Sequence, residues 1–202
     1  MKKKLTSLIF LVAFSGAAHS EYKMVFKNNP VKIPVQTEEA SGDFQYVRIQ
    51  ILNNNGSAQY VSLGEVNWVI NGQSYPDANL TAYTNSPAPY KVTDSGFVGT
   101  NANIYGGWKL YDGEAGQYGR WLGDENFPHE INLDLGQSFD FSDLERVELL
   151  AGNHISADLN ERSVRHFKVF ISENGSDWVE KLEVNNIDAS EWQAGVNNTY
   201  QF

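Results

Sequence analysis

Between Phe167 and Trp178 the chain reads Phe-Lys-Val-Phe-Ile-Ser-Glu-Asn-Gly-Ser-Asp-Trp. Phe167, Val169 and Ile171 fall on one face of an extended chain and Lys168 and Ser172 on the other, the period of two expected of a strand with one buried side. Asn174-Gly175 is the dipeptide that most readily takes up two positive φ angles, so a hairpin is predicted there. Phe170 interrupts the polar side, which points to cover on the second face as well. Trp178 lies beyond the turn and is not needed to form it; it reads as core filler on the returning strand, packed over the strand the chain has just left.

Similar strands are predicted along the chain. Phe44–Leu52 alternates, Asn53 to Ser57 turns, Val61–Ile70 returns, and Asn71-Gly72 marks another hairpin. Glu130–Gly136, Leu144–Leu150, Arg165–Ser172, Asp177–Val184 and Asn198–Phe202 follow, separated by turn residues. Gly96–Gly123 is rich in glycine and scattered aromatics without a helical period, which predicts a long structured loop region of the kind that carries binding sites. No stretch sustains an amphipathic helix of three turns. Short strands with turn signals and no helix predict an all-β fold, an antiparallel β-sandwich or jelly roll.

The 202 residues suffice for one well-buried domain. Met1–Ser20 has the form of a secretory signal: Lys2, Lys3 and Lys4, an apolar run from Leu5 to Phe14 too short to span a bilayer, and Ala18-His19-Ser20 as a cleavage site. Residues 21–43, with Pro30 and Pro34, read as an extended lead-in, and 44–202 as the domain. A secreted or periplasmic destination, or the cell surface, is expected, with no transmembrane segment after cleavage. Without its three signal lysines the chain carries 12 basic and 25 acidic side chains, a net charge of -13. That balance opposes nucleic acid and anionic membranes as partners and favours neutral or cation-assisted ligands. An exported chain with no cysteine relies on its core or a metal ion rather than on disulfides.

Four groups of residues lie in the order found in discoidin domains, the C-type domains of coagulation factors five and eight, which have the galactose-binding-like fold. Tyr46-Val-Arg-Ile-x-Ile followed by Val61-Ser-Leu-Gly-Glu65-Val resembles the family's arginine-bearing strand and Ser-Leu-x-Glu strand. Leu110-Tyr111-Asp112-Gly113, with Trp121 downstream, resembles its Asp-Gly loop. Phe127-Pro-His-Glu-Ile-Asn-Leu-Asp-Leu-Gly136 resembles the strand closing in Asp-Leu-Gly, and Arg162-Ser-Val-Arg-His-Phe167 leads into Ser172-x-Asn174-Gly175-x-x-Trp178. The likeness covers Phe44 to Phe202 and extends to carbohydrate-binding modules of family 32. It departs from the pattern after Gly113, where Glu114-Ala-Gly-Gln-Tyr-Gly replaces a short Asn/Thr run.

The resemblance implies a structural Ca2+ held by Asp112 and Glu65 together with backbone carbonyls, a donor set suited to a hard cation that takes six to eight oxygens. The competing reading has Asp112 capping a turn and Glu65 paired with a base such as Arg48. A sugar needs an aromatic face and oriented polar groups; loop residues of that description are Trp108, Trp121, His154 and Arg162, and each aromatic taken singly also reads as core. No His-Glu-x-x-His, Gly-x-Ser-x-Gly or phosphate loop is present. Carboxylate pairs such as Asp140 with Asp143 are too common in an acidic chain to indicate a glycosidase. The expected function is therefore a secreted, non-catalytic, lectin-like module for a glycan. The alternative is a module that binds a surface protein in assembly or adhesion on the same scaffold.

Overall fold

A computed structural model of the chain describes residues 42–83, 88–114, 119–152, 159–193 and 196–202. The predicted signal, the lead-in as far as Ser41, and His154 lie outside the described residues. Eleven strands are present among those described: β1 (Asp43–Asn54), β2 (Tyr60–Leu63), β3 (Glu65–Ile70), β4 (Gln73–Tyr75), β5 (Lys91–Asp94), β6 (Trp121–Asp124), β7 (His129–Asp140), β8 (Leu144–Leu150), β9 (Val164–Ser172), β10 (Val179–Val184) and β11 (Asn197–Gln201). They form antiparallel sheets in the orders β10-β9-β1-β7-β5, β11-β8-β3-β4 and β2-β6, an all-β, sandwich-like architecture. Short helices α1 (Ala102–Tyr105) and α2 (Leu159–Arg162) and a 3-10 turn at Gly107–Tyr111 lie in the connections.

Alternation fixes which side of each strand is buried. Val47, Ile49 and Ile51 of β1, Ile131, Leu133 and Leu135 of β7, and Phe167, Val169 and Ile171 of β9 are wholly enclosed, while Tyr46, Arg48 and Gln50 point the other way. Register places Ile49 between Ile131 and Val169. The four-stranded sheet meets this layer with Trp68, Val147, Leu149 and Tyr200, and Phe167 packs edge-on against Tyr200 with ring centroids 5.0 Å apart.

Several expectations are corrected. Val61–Ile70 is two strands in different sheets, broken at Gly64, where the Ala151 carbonyl oxygen would lie 2.7 Å from a Cβ. β1 pairs with β7 and β9 rather than with the next strand in sequence. In the β9–β10 turn only Gly175 has a positive φ, at 73°. Side chains build the rest of it: Asn174 Oδ1 accepts from the N–H groups of Ser176 and Asp177, and Ser172 Oγ from those of Asn174 and Gly175. Trp178 is not core filler; it lies half-buried on the outer face of the five-stranded sheet, its ring 3.9 Å from the Arg48 guanidinium. The Gly96–Gly123 region, expected without helix, holds α1 and the 3-10 turn, each about one turn long.

Ile49→Ala at the centre of the larger sheet is expected to lower unfolding free energy by about 2–5 kcal/mol through lost burial and a residual cavity. Gln201→Ala, at an exposed position on β11, should change it by less than about 0.5 kcal/mol. Urea unfolding with unchanged m-values checks both.

Candidate functional site

Antiparallel pairing gathers the β1–β2 connection, β2, β6, α1 and α2 at one end of the sandwich, and the candidate residues that are described belong to this end. Glu65 opens β3. Asp112 follows the 3-10 turn, and Gly113 holds a φ of 76° with its α-carbon so close to Asn79 that a Cβ would lie 2.1 Å from Asn79 Nδ2. Only glycine fits both demands. The turn beyond it is pinned when Glu114 N–H donates to Asp112 Oδ1 at 2.9 Å.

Asp112 and Glu65, far apart in sequence, are thereby set side by side. Burial first, and then the Asp112 carboxylate, pushes the Glu65 carboxyl up to about 8, against the opposing pull of the Gly113 and Glu114 N–H groups. Among the described residues none bonds the buried Glu65 Oε1, a costly arrangement for a polar atom. On the other side, Lys109 Nζ is 2.7 Å from Asp112 Oδ2 and 4.4 Å from the Trp108 ring centroid. Arg48, the alternative partner for Glu65, is occupied elsewhere: its NH1 is 3.1 Å from Glu130 Oε2.

These residues fit a hard cation in their donor chemistry, with two adjacent carboxylates and a buried oxygen that no described residue bonds. No cluster of three His, Cys, Asp or Glu side chains occurs among the described residues. The remaining oxygens for Ca2+ would therefore be backbone carbonyls, and the ion would share Asp112 with Lys109. Lys109 was missed in the sequence, although its spacing of three from Asp112 within a Gly-flanked turn is the signal that places the two together.

The aromatic candidates are struts rather than platforms. Trp121 is wholly buried, donates Nε1–H to the Gly96 carbonyl at 3.2 Å and meets His129 edge-on at 5.2 Å. Trp108 is 6% exposed, donates to the Ala102 carbonyl at 2.8 Å and is covered by Lys109. Neither presents a face to a sugar. Arg162, at the end of α2, holds its guanidinium 4.9 Å from the Tyr60 ring centroid at the surface of this end.

Asp94 clamps the same region. Its Oδ2 accepts the Gly107 N–H at 2.6 Å, and burial raises its pKa against the pull of the Gly107 and Gly96 N–H groups. His129 bonds the Asp124 carbonyl through Nε2 at 2.9 Å. The Asp140 and Asp143 pair forms a capping box around the 3-10 turn Phe141–Asp143, satisfying backbone donors.

Searches against protein-family models, curated proteins and solved structures return no match to this chain.

The Glu65 carboxyl gives a signed pH dependence. Its pKa is higher folded, about 8, than unfolded, about 4.5, so the folded chain binds the extra proton between these values. Stability is full below the lower value and is lost as pH rises through the upper one. In chelator, the thermal midpoint is expected to fall by several degrees between pH 5 and pH 8.5. Glu65→Gln, neutral at every pH, should flatten most of this slope, as read by scanning calorimetry.

Proposed function

We propose that this chain is an exported, non-catalytic module that binds carbohydrate on a discoidin-like sandwich, with Ca2+ bracing the loop end. The observation that carries the reading is the contact between Glu65 and Asp112, the two residues that the discoidin resemblance assigns to the ion. Bound there, the ion supplies the positive charge that lets Glu65 give up its proton beside Asp112. Asp112 and Glu65 would hold it, Gly113 supplies the turn that brings them together, and Asp94 fixes the neighbouring 3-10 turn. The role of the brace is to hold the loop end of the sandwich together, which stabilises the folded domain.

Sugar recognition is also supported against the surface-assembly reading. A protein-docking surface of that kind needs a broad apolar patch. The exposed large hydrophobics among the described residues are Ile104, Val196 and Phe202, and the last two flank β11 at its opposite ends. The acidic balance of the chain is in keeping with a neutral ligand, and the Met1–Ser20 segment with export.

Two outcomes test the proposal. At one hundred times Kd, Ca2+ should stabilise the fold by about 2.7 kcal/mol, raising the thermal midpoint by roughly 5–10 °C for a chain of this size. The rise should be lost in Asp112→Asn, and the affinity should increase from pH 6 to pH 8 as Glu65 deprotonates. A glycan array should return hits; an array without hits counts against carbohydrate as the ligand.

A further inference from the structure

The outer face of the five-stranded sheet carries an ordered grid of polar and aromatic groups. Register sets Tyr46 between Ser172 and Asp134, with Lys91 opposite Asp134; the next row runs Phe170, Arg48, Asn132 and Thr93. Several of these polar groups are tied to their neighbours. Gln45 Nε2 donates to Asp134 Oδ1 at 2.8 Å, Arg48 Nε to Asn132 Oδ1 at 2.6 Å, and Asn132 Nδ2 to Thr93 Oγ1 at 3.1 Å. The Tyr46 ring stands against the β9–β10 turn, about 3.4 Å from where a Gly175 Cβ would be. Glycine is required there by its φ of 73°, and a Cβ would meet the ring only at ordinary contact distance.

Tyr46, Lys91, Thr93, Asn132 and Asp134 line an open depression of about 160 Å3. Pockets for drug-sized ligands run to roughly 300–1,000 Å3, so this one suits a single ring. Its lining combines one aromatic wall with an amide, a hydroxyl, a carboxylate and an ammonium group. That is the mixture a pyranose requires, C–H groups against the ring and hydroxyls paired to donors and acceptors. Lys91 and Asp134 balance in charge, which favours a neutral sugar over an acidic one. One step along β1, about 7 Å away for two residues of strand, the partly exposed Trp178 lies over Arg48.

We propose that this depression seats one unit of a neutral glycan and that the chain continues across the sheet past Trp178. The inference rests on the carbohydrate-binding reading and moves the sugar's seat from the loop end to the sheet face. The Arg48 guanidinium stiffens Trp178 from beneath by cation–π contact, and the hydrogen-bonded grid orients the acceptors before the ligand arrives.

The test uses neutral galacto-, gluco- and manno-oligosaccharides of two to six units, first on an array and then in calorimetric titration. Tyr46→Ala removes the wall, and Thr93→Trp, on the exposed side of edge strand β5, fills the depression without touching the core. Both are expected to weaken binding at least tenfold with unchanged thermal midpoints. Trp178→Ala should weaken the longer oligosaccharides more than the disaccharides. The rival seat is probed by Arg162→Ala. Loss of binding in that variant, with Tyr46→Ala and Thr93→Trp unaffected, puts the sugar at the loop end and overturns the inference while leaving the carbohydrate reading intact. If the wild-type chain retains no member of the panel, both fall.

Discussion

The molecule is built around a strand with no exposed edge. β1 lies in the middle of the larger sheet, hydrogen-bonded on one side to β7 and on the other to β9, and its inward row of Val47, Ile49 and Ile51 is wholly enclosed. Removing those side chains from water is the main driving force available to a chain without disulfides. Because successive side chains alternate, burial of that row forces Tyr46, Arg48 and Gln50 to the opposite side. The outer face is therefore ordered by the same pairing that builds the core.

Strand positions were legible in the sequence because alternation records directly which side of a strand is buried. Leu144–Leu150 is reproduced residue for residue, and Arg165–Ser172 to within one. Partner choice was not legible. Nothing local links Ile49 to Ile131 and Val169, since the pairing depends on the packing of the whole sheet. Trp178 was misplaced for a related reason: a turn one residue out of step moves a side chain to the other face, and the Asn174 and Ser172 side chains make that turn longer than a two-residue hairpin.

At the loop end, juxtaposition was more legible than exposure. Glu65 and Asp112 meet as the motif order implied, but Trp108 and Trp121 are engaged inside, their ring N–H groups donating to backbone carbonyls. An indole in a Gly-rich segment satisfies the same composition whether it faces solvent or supports the loop from beneath. A lone basic residue in such a segment reads as surface, whereas the Lys109 ammonium group closes the chain of contacts from Trp108 through Asp112 to Glu65.

The central position of β1 also governs when the fold can form. Its partners begin about 80 residues downstream at His129 and end beyond residue 170, so most of the polypeptide must be available before either edge of the strand can be satisfied. Such a topology has a high contact order and assembles slowly. Until β9 arrives, one edge of β1 stays open beside the apolar row of Val47, Ile49 and Ile51, the kind of segment that holding chaperones shield. A nascent chain stalled before Val164 could not close the sheet, so the last third of the polypeptide decides whether the first strand is ever enclosed.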